Sequence, residues 1–170
     1  GEVRPGFTRP DDVQTFRVVI PEAHLQDPDQ VVRMQQAIVD GIAQISGVET
    51  ASFAQSVPMD NRTDHDPIFV EDAMNADRQI TTIRSFNFVA PEFFRSVGIR
   101  LVAGRDLTWT DVYDRRPVAL VSENLASELW GNPRAGVGKR IRENLNSPWR
   151  DVIGIVGDVR DEGIHRPAPT

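Results

Sequence analysis

The side chains of this sequence that could do chemistry gather in a few short stretches. Asp64-His65-Asp66 brings two carboxylates and an imidazole together, donor types that suit a divalent cation. Consecutive residues of a strand point to opposite faces, however, and no second His or Glu cluster completes a shell. His24 and His165, the other two histidines, sit in isolated polar contexts. The stretch is therefore read as a solvated surface loop. Gly154 and Gly157 invite a nucleotide-loop reading, but they lie inside or at the end of a strand. Pro167 and Pro169 follow where a phosphate-binding helix would be needed. Gly154 is better read as a bulge or a close approach of backbone. Gly136, Gly138 and Lys139 follow a helix instead of preceding one. Ser122 joins a strand to a helix, yet Val121 and Glu123 flank it in place of the glycines of a nucleophile elbow, and a helix cap explains it.

The stretch from Glu92 to Asp111 concentrates charge around Gly98 and Gly104. Asp106 and Asp111 are a conceivable acid–base pair, with nothing in the sequence to single them out. Arg105 follows Gly104 in a turn, where its planar donor fork is expected to bond backbone carbonyls or a carboxylate. Phe93 and Phe94 are adjacent, so one is expected in the core and the other against a second lobe or a partner. No catalytic, cofactor-binding or metal-ligating residue is assigned.

The elements that position these residues follow from periodicity and punctuation. Thr15 to Ile20 reads as a strand stopped by Pro21. Asp27 caps a helix with Pro28 at its first position, and Val31, Met34, Ile38, Ile42 and Ile45 form its apolar stripe up to Gly47. Val48 to Ser56 reads as a second strand, giving a βαβ unit. The pattern loosens from Val57 to Gln79, with Pro67 placing a short segment on a sheet edge. Ile80 to Val89 is a strand. Pro91 to Gly98 is a two-turn helix, and a short strand then leads into the Gly-Arg-Asp turn. Val118 to Val121 is extended, Ser122 caps a helix carrying Leu125, Leu129 and Trp130, and Gly131 ends it. Two further strands flank the polar Asn144 to Pro148 as a hairpin. Strands outnumber helices and the connections vary, so the class is α+β.

Composition narrows the classes of function. The chain has 170 residues, 39% hydrophobic and 26% charged, which is that of a folded domain with a real core. Its net charge of −6 gives no affinity for a phosphate backbone or an anionic membrane surface. With no cysteine, thiol catalysis, disulfides and cysteine-based metal sites are excluded. No apolar run approaches a membrane span and no signal peptide is visible. The first residue is Gly1, as expected of a piece cut from something longer.

Taken together, the blocks from Pro91 to Asp111, Arg116 to Gly131, Gly136 to Ile141 and Trp149 to Pro167 resemble the MacB-like periplasmic core domain of FtsX-type ABC transporter permeases. The matches include Phe93, Phe94, Val97, Gly98, Ile99, Leu101, Gly104, Arg105 and Leu107, then Val118 to Trp130, then Gly154 to Arg160. The N-terminal stretches around Arg4 to Phe7, Thr15 to Pro21 and Ile45 to Ser52 fit as well.

This resemblance implies a non-enzymatic domain on the periplasmic face of the inner membrane, inserted between the first two membrane helices of a permease. It implies a porter-like βαβ lobe, about 12–57 with 150–170, and an inserted mixed α/β (Sabre-like) lobe, about 58–149. Its implied role is to couple a separate cytoplasmic ATPase to partner or substrate handling outside the membrane. The implied partners are a second permease copy, that ATPase and a periplasmic adaptor protein, with no cofactor and no nucleic acid. The family's usual further strand–helix pair is missing before the chain stops at Thr170, which implies an incomplete porter lobe with one open sheet edge. The alternative is a free-standing periplasmic ligand-binding or protein-interaction module; a hydrolase built on the 58–79 stretch is a distant third.

Overall fold

A computed structural model describes residues 12–18, 27–55, 64–73 and 82–158. The first helix, α1 (Pro28–Ala43), begins as its sequence predicts. Asp27 is the N-cap, its carboxylate accepts from the Asp29 amide at 3.0 Å, and Pro28 fills the first turn where no amide partner is needed. Gly47 takes the left-handed conformation just beyond the helix end, at φ 90°.

Six strands follow in one sheet: β1 (Asp64–Val70), β2 (Thr82–Phe86), β3 (Leu101–Gly104), β4 (Val118–Ser122), β5 (Arg140–Arg142) and β6 (Arg150–Val156). β6 is the strand on which the sheet is organised. β5 pairs antiparallel with its start, β3 antiparallel with its end, and β4 runs parallel along its length. β1 bonds β5 on one side and β2 on the other, both antiparallel. Three short helices intervene: α2 (Phe93–Ser96), α3 (Trp109–Tyr113) and α4 (Glu123–Trp130). The sheet with helices packed on it confirms the mixed α and β class.

Both faces of the sheet are covered, which is why β6 reads as a nearly continuous apolar run. Leu120 and Val121 are neighbours in β4 and so face opposite ways. Val121 joins Ile68, Val70, Ile141, Val152, Ile155 and the α4 residues Leu125 and Ala126 in the larger core. Leu120 turns to the second core, built from Phe93, Val97, Ile99 and Val156. Phe94 packs on this same core, 5.3 Å from Phe93 in an edge-to-face pair, so both phenylalanines are used inside the molecule.

One irregularity shapes the site. Ala119 pairs with Val152 and Leu120 with Gly154, which leaves Ile153 as an extra residue against β4. Its carbonyl accepts from the Arg105 amide at 2.9 Å. A Cβ on Gly104 would lie 2.2 Å from that carbonyl oxygen, and one on Gly154 would lie 2.3 Å from the Arg105 carbonyl. The two glycines let the end of β3 lie directly on β6, the close approach anticipated for Gly154.

Three expectations are corrected. Residues 15–18 form no strand, and 19 and 20 lie outside the described residues. Residues 48–55 hold a single antiparallel bridge, Ala54 to Val89, so the βαβ unit expected around α1 does not form among the described residues. Phe16 and Val18 stay 67% and 53% exposed; β-branched composition makes a strand only where a neighbouring strand and a buried face are available. Lastly, Asp64–Asp66 is strand and not loop, paired with Phe86, Ser85 and Arg84, and β1 lies between two strands. β5 reaches only Phe69 and Val70, so beside Pro67 the sheet has a single neighbour and the proline meets an edge after all.

Candidate functional site

The site is organised by α3, a five-residue helix that begins with a reciprocal cap. Thr108 accepts from the Asp111 amide through its hydroxyl oxygen, and the Asp111 carboxylate accepts from the Thr108 amide at 3.0 Å. Asp111 is 2% exposed, the one buried charged residue among those described. Arg105 holds it with both arms of its fork: Nη1 donates to Oδ2 at 2.6 Å and Nη2 to Oδ1 at 3.0 Å. Nη1 also donates to the Asp106 carbonyl at 3.0 Å. Hydrogen bonds from Arg105 first, and then from Thr108, hold the Asp111 carboxyl well below the usual carboxylate range against the opposing effect of burial.

The other end of α3 is unusual. The Arg115 amide bonds the Val112 carbonyl and the Arg116 amide bonds the Asp111 carbonyl, the paired bonds of a Schellman ending. That motif puts its left-handed residue where glycine is favoured, and here the residue is Arg115 at φ 49°. Gly98 and Gly131 supply the left-handed conformation where α2 and α4 end. An arginine in this conformation costs about 1–2 kcal/mol relative to glycine.

Between α1, the 53–55/88–90 bridge, α3 and the start of β4 lies an open cleft of about 450 Å³. One wall is aromatic: Phe53 and Trp109 have ring centres 6.5 Å apart, Trp109 and Tyr113 likewise, and Phe88 is 70% exposed at the rim. Arg115, Arg116 and Arg150 also line it, with Asp111 at its inner side. Beside the cleft, α3 is joined to α1: Arg115 Nη2 donates to Asp29 Oδ1 at 2.5 Å, and the Tyr113 hydroxyl donates to Gln36 Oε1 at 2.6 Å. Arg116 pairs with Asp114 at 2.8 Å, and Arg150 grips Glu143 at 3.0 and 3.2 Å.

The candidates picked out from sequence disperse. Asp106 and Asp111 do not act as an acid–base pair: Asp106 accepts from the Leu107 amide at 2.7 Å and the Glu92 amide at 3.2 Å, fixing the turn before α3. Burial raises the Asp106 pKa. Ser122 caps α4, accepting from the Leu125 amide. Gly136 packs beneath the Trp130 ring in a 3₁₀ turn, while Gly138 and Lys139 lead into β5, where Lys139 pairs with Asp72. His24 and His165 lie outside the described residues, and among those described no three His, Asp or Glu side chains are placed to hold a metal ion. Arg105 does what its turn suggested.

Sequence reasoning missed α3 and the cleft. The one legible signal was the Thr108 to Asp111 capping spacing; the missing glycine after Tyr113 was a second, visible only beside the other helix ends. Phe53, Phe88 and Trp109 carry no local pattern and meet only through the fold.

The sequence profile of the MacB-like periplasmic core domain matches residues 4–168. Among solved structures, the periplasmic region of MacB from Actinobacillus actinomycetemcomitans is 17% identical at a TM-score of 0.47, over 75% of this chain and 55% of that one. A domain assigned to a permease protein from Porphyromonas gingivalis is 22% identical at a TM-score of 0.45, over 73% and 45% respectively. This chain thus spans about half the length of each. No curated protein matches. Among the described residues, no helix is long and apolar enough to cross a membrane.

Proposed function

The chain belongs to the MacB-like periplasmic core domain family, and from that premise we propose that it is a non-catalytic periplasmic domain of an ABC transporter permease. Its role on this reading is to pass the cycle of a cytoplasmic ATPase to events outside the inner membrane. A second permease copy and a periplasmic adaptor are its partners. The observation that carries the proposal is the family match over residues 4–168, nearly the whole chain. The chemistry of the site agrees with it. Asp106, Asp111 and Ser122, the side chains weighed for catalysis, are spent on turns and caps. The two-lobe assignment, 12–57 with 150–170 against 58–149, belongs to this proposal. On it the lobes share one sheet, since β6 carries β3, β4 and β5.

The gene beyond both ends is expected to encode a membrane helix before Gly1 and three more after Thr170; a reading frame without them overturns the permease reading. Coupling is tested separately in proteoliposomes holding the complete permease and its ATPase. This chain has no native cysteine, so Asp29→Cys with Arg115→Cys, bridged by a bismaleimide that replaces the arginine's reach, gives a defined crosslink between α1 and α3. Crosslinking is expected to slow ATP turnover severalfold. Unchanged turnover with complete crosslinking removes the coupling role. The second reading, a free-standing periplasmic binding module, is favoured by the aromatic cleft, and the flanking gene decides between the two.

A further inference from the structure

We infer that the cleft between α1 and α3 is a binding site for an amphiphilic organic anion, an aromatic or short aliphatic body with one carboxylate or sulfonate head, and that Arg115 grips the head. The inference stands apart from the transport reading. A cleft of about 450 Å³ falls in the roughly 300–1,000 Å³ range of small-molecule sites, and its wall of Phe53, Trp109 and Phe88 offers an apolar body somewhere to lie. Three arginines and one aspartate line the cleft. Each of these arginines is paired with a carboxylate, so an anion gains only where an arginine can exchange its partner.

Among these arginines Arg115 is singled out by geometry. Arg150 is held by two bonds to Glu143, and Arg116 lies between Asp114 and Asp111 on its own side of the cleft. Arg115, which lines the cleft, pairs with Asp29 of α1 beside it, and both side chains are largely exposed, at 66% and 58%. An ion pair that open to water is weak. A ligand carboxylate seated on the aromatic wall exchanges for Asp29 at little cost, and its own contact is less hydrated. The left-handed backbone at Arg115 is the second pointer. Glycine is favoured there, and residues held in sparsely populated conformations cluster at ligand clamps.

The test titrates the purified chain with anilinonaphthalene sulfonate and, in parallel, with the neutral N-phenylnaphthylamine of similar aromatic body. The sulfonate is expected to bind saturably and about tenfold tighter than the amine. Arg115→Gly is expected to weaken the sulfonate about tenfold while raising Tm by about 2 °C, so lost binding is not lost folding. Asp29→Asn, which removes the internal competitor, is expected to tighten sulfonate binding by about threefold. Trp109→Leu is expected to weaken both probes together. Equal affinity for the two probes, undiminished sulfonate binding by Arg115→Gly, or unchanged or weaker binding by Asp29→Asn overturns the inference. Absence of saturable binding overturns it as well.

Discussion

Two arginine–aspartate pairs sit at opposite ends of α3, and they have little in common beyond their chemistry. At the front, Arg105 holds Asp111 through two bonds, with the carboxylate 1% exposed and the arginine placed by a backbone bond to Ile153 of β6. At the back, Arg115 meets Asp29 through one bond, with both partners in water. The first pair is surrounded by protein on one side and reinforced by Thr108. The second joins two helices that share little else, the Tyr113 to Gln36 bond apart. A bond length alone would rank the second pair first, at 2.5 Å against 2.6 Å. Burial and preorganisation reverse that order, because an exposed pair is screened and entropically loose while a buried carboxylate without its partner is costly.

The largest expected effect tests the front pair. Arg105→Ala strands the Asp111 carboxylate and is expected to destabilise the domain by about 3 kcal/mol in urea unfolding, at the low end because the guanidinium is half in water. A loss near zero would make the two pairs equivalent. Next comes acid. Asp111 has a depressed folded pKa, so its contribution is complete above its unfolded value of about 4 and is lost as pH falls below it. Glu143, lowered chiefly by its Arg150 bond, adds in the same direction. Asp106 and Asp158, both raised chiefly by burial, act oppositely and recover some stability on acidification. Tm is therefore expected to fall below about pH 4 and to fall less steeply in Asp111→Asn; parallel slopes would remove Asp111 as the main acid-sensitive group.

A finer test is Arg105→Lys, which keeps the charge but loses the fork, and is expected to cost about 1–1.5 kcal/mol. A full rescue to wild-type stability would show that charge and not geometry holds α3. The smallest effect belongs to the back pair. Asp29→Asn is expected to change stability by no more than about 0.5 kcal/mol, measured in the same urea series. A loss above 1 kcal/mol would place the Arg115 pair beside the Arg105 pair.

The legible parts of the fold are those whose signals are local. Asp27-Pro28 marks the start of α1, Ser122 the join of β4 to α4, and the polar turn after Arg142 the hairpin of β5 and β6; each needs only its own neighbours. Thr15 to Val18 reads equally well as a strand, but a strand is a relation between segments, and no described segment pairs with it. Asp64 to Asp66 errs the other way: polar residues beside a proline look like loop, yet pairing with β2 makes them sheet. The clasp was half visible, since Gly104-Arg105-Asp106 announces a pinned turn without naming Asp111 as its other end. The cleft was hidden because its walls come from residues 35, 53, 88 and 109–118, which meet through the Ala54–Val89 bridge and the bonds of α3 to α1, beside a sheet that depends on β6.

That dependence on β6 has a consequence for how the molecule comes into being. The strand that joins β3, β4 and β5 is also the last strand of the described chain. A polypeptide emerging from its N-terminus therefore presents β3, β4 and β5 before their shared partner exists, and the pairings of β3 and β4 with β6 close over long separations in sequence. Until residues 150–156 arrive, the nascent domain carries open strand edges and uncovered apolar side chains, the condition in which chains aggregate or need a chaperone. The pairing of β3, β4 and β5 in one sheet thus waits on residues 150–156.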